Sequence, residues 1–138
     1  MRRGESALSP SMTDKQVLLP GPDHPISIEP TGARVTVTVA GQVVADTVNA
    51  LTLQEASYPP VQYVPLADID PAVLQQTDHT THCPYKGDAS YFDLTVGDRV
   101  AHNAVWTYSA PHEAVASIEG YAAFYPNHVD AIEVHDGS

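Results

Sequence analysis

Apolar and polar residues alternate with a period of two along much of the chain, the signature of strands with one buried face. The clearest stretch is Arg34-Val35-Thr36-Val37-Thr38-Val39, with three valines on one side. Gly41-Gln42 then turns into Val43-Val44-Ala45-Asp46, which predicts a hairpin. Ala50 to Glu55 alternates again, with Leu51 and Leu53 inward. Val61 to Val64 reads as a short strand fenced by Pro59-Pro60 and Pro65. Tyr91 to Val96 and Ala104 to Tyr108 follow, the second with Ala104, Trp106 and Tyr108 on one face. Tyr121 to Tyr125 and Val129 to Val134 complete the set.

Helical spacing is rare. Asp70 before Pro71 places a capping acid ahead of a first-turn proline, which predicts a helical turn over Ala72–Gln76. Pro111-His112-Glu113 opens a longer helix, with Ala114, Val115 and Ile118 at helical spacing and Gly120 at its end. Seven or eight short strands with two short helices predict a mainly β, antiparallel fold. The absence of βαβ alternation argues against a nucleotide-binding doubly wound sheet. Residues 1–21 are rich in Ser, Pro and charge and are expected to form a flexible tail, which leaves 22–136 as a single domain.

Composition narrows the function. The chain has 138 residues, 43% of them apolar, enough for one hydrophobic core. No apolar run reaches the 18 residues a membrane helix needs, and no apolar signal core follows Met1-Arg2-Arg3. A soluble protein is therefore expected. The formal charge is -11, from 17 acids against 6 bases. Such a surface repels phosphate backbones and anionic lipid, so neither nucleic acid nor membrane is an expected partner. A single cysteine, Cys83, cannot form an internal disulfide and points to a cytoplasmic location.

The densest chemistry lies in Thr80-Thr81-His82-Cys83-Pro84-Tyr85-Lys86-Gly87-Asp88-Ala89-Ser90-Tyr91, read as a loop before a strand. Cys83 could be a catalytic thiolate, activated by His82 or Lys86, or a small buried hydrophobe. Lys86-Gly87 lacks the flanking residues of a phosphate-binding loop, and Gly87 fits a turn that needs positive φ. His79, His82 and Cys83 fall short of a closed four-ligand metal site, so no metal or other cofactor is predicted. Asp68-Ile69-Asp70 has the spacing of a metal-binding acid pair, but Asp70 is better explained as a cap.

Aromatic residues with polar tips cluster on or beside the predicted strands, suited equally to a core and to a ligand cleft. Tyr58, Tyr85, Tyr91, Trp106 and Tyr108 are the candidate wall of such a cleft. Arg34, Glu55 and Lys86 are its candidate anchors.

Several strings together resemble one family. They are Gly21-Pro22-Asp23-His24-Pro25-Ile26, Ala45-Asp46-Thr47, Glu55-Ala56-Ser57-Tyr58-Pro59-Pro60-Val61 and Thr81 to Tyr91. Ala104-Val105-Trp106-Thr107-Tyr108 and Ala123-Phe124-Tyr125-Pro126 continue the match. The pattern resembles the family called domain of unknown function 427, over roughly residues 21–134. The resemblance implies a β-tent (Mss4-like) fold, in which two antiparallel sheets lean together. Relatives in that group often carry a four-cysteine zinc site, which one cysteine cannot supply. Relatives also bind small ligands between the sheets. Where the family usually has Arg after Tyr63-Val64-Pro65, this chain has Leu66-Ala67-Asp68 and would lack any anion contact made there.

Three readings of function follow. The first is a small-molecule-binding module. The second is an enzyme using Cys83 as nucleophile or redox thiol, although a redox cycle would need a partner's thiol. The third is an interaction protein, such as a homodimer paired through edge strands.

Overall fold

The computed structural model describes residues 17–135. Ten strands form two antiparallel sheets. They are β1 (Ile26–Pro30), β2 (Arg34–Val39), β3 (Gln42–Thr47), β4 (Leu51–Glu55), β5 (Val61–Pro65), β6 (Leu74–Cys83), β7 (Gly87–Val96), β8 (Arg99–Thr107), β9 (Tyr121–Phe124) and β10 (Ala131–His135). The larger sheet runs β1-β4-β5-β9-β8-β7-β6 and the smaller one β10-β2-β3. The mainly β expectation holds, with two strands more than alternation revealed. Among the described residues, no helix is long and apolar enough to cross a membrane.

Two apolar cores flank the larger sheet. One lies between the sheets and joins Val35, Val37, Val39 and Val44 to Val64, Leu94, Val105 and Phe124. The three valines of β2 are each no more than 1% exposed, as their alternation predicted. The second core packs Leu53, Tyr63, Tyr91, Tyr108 and Ala123 beneath Val115 and Ile118. Register explains the division. Tyr91, Trp106 and Ala123 are cross-strand neighbours that share one face, whereas Phe92, Val105 and Phe124 share the other.

Several local expectations need correction. The predicted helix after Pro111 is a 3₁₀ segment, Glu113–Ile118, broken at Val115 (φ -126°, ψ 27°). No side chain caps it, and its buried residues, Val115 and Ile118, are three apart, the 3₁₀ period. The turn after Asp70 is real, with the Asp70 carboxylate accepting from the Ala72 amide at 3.0 Å, but it closes by Val73. Leu74 then enters β6 opposite Leu94, so pairing with β7 overrides the helical reading of Leu74 to Gln76. The supposed loop from Thr80 to Tyr91 is a hairpin of β6 and β7 around Pro84-Tyr85-Lys86. The edge strand β6 is polar and largely exposed, so it has no apolar face to alternate. Ala104 packs between the sheets rather than with Trp106, because Asn103 takes a positive φ of 52° and the β7–β8 register shifts nearby. Of the predicted tail, residues 1–16 lie outside the described residues; Leu18 donates its amide to the Pro84 carbonyl at 2.8 Å.

Candidate functional site

Glu55 ends β4 opposite Ile26 of β1, a register that turns its carboxylate to the aromatic side of the larger sheet. There it accepts hydrogen bonds from Lys86 Nζ and, at 2.7 Å, from His24 Nε2. Lys86 arrives from the β6–β7 turn. Its amide donates to the Cys83 carbonyl at 3.2 Å, and its carbonyl accepts from His112 at 2.9 Å. The Lys86 and Glu55 side chains are only 12% and 15% exposed, so the pair is largely withdrawn from water. Burial by itself would push the Glu55 carboxyl up. The bonds from Lys86 and His24 outweigh it and hold the group below its ordinary value. The His24 ring stacks flat on Tyr85, with centroids 3.9 Å apart and planes 7° apart.

Beside this charged group lies a hydrogen-bonded set of aromatics. Trp106 Nε1 donates to the Tyr63 hydroxyl at 3.1 Å, and its ring lies 4.4 Å from that of Tyr125. Tyr91 pairs its hydroxyl with Thr81 at 2.9 Å and packs against His79. Burial raises the Tyr63 and Tyr108 phenols far above their ordinary value. Burial, helped by a hydrogen bond to Tyr91, pushes Tyr125 up to about 12. These phenols are therefore neutral donors at any ordinary pH. Cys83 is half-buried against the same aromatic core.

The structure thus gathers Glu55, Lys86, Tyr85, Tyr91, Trp106, Tyr108 and Cys83 on one side of the larger sheet. It does not bring the others there. Arg34 lies on the smaller sheet in an exposed two-point pair with Asp46, at 2.9 and 2.8 Å. Tyr58 is 61% exposed in the β4–β5 turn. His82 pairs across the hairpin with Asp88, one residue out of phase with Cys83, and so points to the opposite face. Its Nδ1 is 2.7 Å from Asp88 Oδ1. Of the acid pair, Asp68 accepts from the Thr47 hydroxyl at 2.6 Å and Asp70 caps its turn. Among the described residues, no three His, Cys, Asp or Glu side chains converge as metal ligands.

Sequence reasoning left His24, Tyr63 and Tyr125 off the candidate wall. His24 was visible in the string Gly21-Pro22-Asp23-His24-Pro25, but its partner stands 31 residues away. Tyr63 and Tyr125 were visible as strand aromatics, but alternation alone did not show that they meet the ring of Trp106.

A cleft of about 420 Å³ opens beside Trp106. Val61 and Gln62 of β5, Phe124 of β9 and Ile132 of β10 form its other walls. It lies where β5 and β9 part: these strands pair only at Val64↔Ala122 and Pro65↔Tyr121. Trp106 is the link between cleft and aromatic cluster. No curated protein matches the chain. The model of the family described as Domain of unknown function (DUF427) matches residues 27–135, so the chain belongs to that family.

Proposed function

We propose that the protein is a small-molecule-binding β domain whose ligand enters the cleft beside Trp106. The observation that carries this reading is the cleft itself. Its volume of about 420 Å³ falls in the range of small-ligand sites, and its walls are mostly apolar with one aromatic ring held in place. Trp106 cannot swing freely, because its N–H is tied to Tyr63 and its ring lies against that of Tyr125 at a tilt of 44°. A ring fixed in this way is organised before the ligand arrives, which lowers the cost of binding. The acid pair Asp68 and Asp70 is not part of this reading, because its carboxylates are bonded to Thr47 and Ala72.

Trp106 is the only tryptophan in the chain, so its emission reports on the cleft without interference. Compounds from a fragment library that bind should shift that emission. They should bind Trp106→Ala about tenfold more weakly by calorimetry, the loss expected for an aromatic wall. Ligands that bind the variant unchanged, or a library that leaves the emission unmoved, would remove the cleft as the site.

A further inference from the structure

The parting of β5 from β9 leaves main-chain groups open. The ladder between them starts well: the Leu66 amide donates to the Gly120 carbonyl at 3.0 Å, and Val64 faces Ala122. In an antiparallel ladder the bonded pairs recur every second residue. The next pair in this register would be Gln62 with Phe124. It is not formed, and both residues line the cleft instead.

On their outer sides the two strands remain paired. Gln62 stays opposite Thr52 of β4, and Phe124 stays opposite Val105 of β8. Tyr125 donates its amide to Ala104 at 2.9 Å, so the odd-numbered residues of this segment bond towards β8. Alternation then turns the N–H and C=O of Phe124, and those of Gln62, towards the gap. The Gln62 side chain does not fill it. Its Oε1 accepts from Thr31 at 2.7 Å and its Nε2 donates to Thr52 at 3.0 Å, on the β1–β4 side. These bonds also hold the Gln62 backbone in place.

We infer that the cleft reads a flat, neutral ligand carrying an adjacent N–H and C=O, a lactam or an aromatic carboxamide. Its ring lies against Trp106, and its amide edge bonds one N–H and one C=O of the missing β5–β9 step at Gln62 and Phe124. This rests on the proposal that the cleft is a ligand site. The flat ring suits Trp106 and the apolar walls of Val61 and Ile132. The amide edge suits main-chain donors and acceptors that the parting of the strands leaves without a ladder partner. A peptide strand fits less well, because the register leaves one bonded step open rather than a run of several.

The test titrates the full chain, labelled with nitrogen-15, with 2-quinolone, N-methyl-2-quinolone and quinoline. These share a flat bicycle and differ in the amide edge. We expect 2-quinolone to bind about tenfold more tightly than the other two, because a site built to bond an N–H discriminates strongly against its loss. The Gln62 and Phe124 amide resonances should move on binding. Equal affinities, shifts confined to other amides, or tighter binding by a tripeptide would overturn the inference. If 2-quinolone fails while other fragments still shift Trp106 emission, the ligand class falls and the cleft stands. If no fragment moves Trp106, both fall.

Discussion

Glu55 joins two hydrogen-bond donors that come from opposite directions along the chain, His24 and Lys86, each 31 residues away. No local pattern could have shown that meeting, because it is made by β1 and the β6–β7 turn converging on the end of β4. The two anchors Glu55 and Lys86 were legible as residue types. Their pairing was not, and Arg34 looked an equal candidate until Asp46 of the neighbouring strand claimed it. Lys86→Met should destabilise the fold by about 1–3 kcal/mol, since it leaves a withdrawn carboxylate short of its strongest donor. Adding Glu55→Leu should restore part of that loss, because the unpaired charge is then gone. Urea unfolding of the three variants checks this, and a double variant no better than the single would contradict it. The pH dependence has a definite sign. The Glu55 carboxyl is held below its ordinary value in the fold. Its contribution is therefore complete above that ordinary value and disappears as pH falls through the depressed one. The wild-type advantage over Lys86→Met should shrink on acidification in the same way.

The β6–β7 hairpin shows what alternation can and cannot reveal at the scale of an element. β7 was legible from Tyr91 onward, where Leu94 and Val96 are buried at alternate positions. Its partner β6 was invisible, since an edge strand of Thr, His and Gln offers no apolar stripe. The 3₁₀ segment at Glu113–Ile118 misled for a different reason: residues at i and i+3 suit both helix types, and only capping and packing separate them. The hairpin turn itself was signalled by Gly87, whose φ is 115°. A Cβ there would sit 3.4 Å from the Ala110 carbonyl and the His112 ring, in ordinary van der Waals contact. Gly87→Ala should cost about 1–3 kcal/mol, because its φ lies in a region that side-chain-bearing residues rarely populate. Gly41→Ala makes the control, with φ of 79° and nothing within 4 Å of its Cβ. It should cost about 1 kcal/mol, the backbone penalty alone. Equal midpoints for the two in thermal unfolding would mean that the φ at Gly87 costs an alanine no more than the left-handed φ at Gly41.

For the molecule as a whole, the formal charge of -11 dominates the electrostatics. The exposed pairs Arg34–Asp46 and Arg99–Asp130 offset little of it, because solvent-exposed pairs are each worth about 0–1 kcal/mol. Self-repulsion among the remaining acids should weaken the fold at low ionic strength. Raising sodium chloride from about 10 to 200 mM should therefore raise the melting temperature by a few degrees, as screening shortens the reach of each charge. A fall would show that the ion pairs outweigh the repulsion.

The smaller sheet has a consequence for how the chain reaches this shape. β10 joins it by pairing with β2, so that His135 meets Arg34 and Ala131 meets Thr38. This closure spans nearly the whole described chain, and the entropy of such a loop must be paid before the contact returns anything. Topologies built on distant pairings fold in about milliseconds to seconds, rather than in the microseconds open to local helical folds. During synthesis, β2 and β3 can form their hairpin early, while the other edge of β2 stays open. That edge is covered only once residues 131–135 have left the ribosome. The interval between the two events is when the valine-rich strand is most exposed to pairing with another chain.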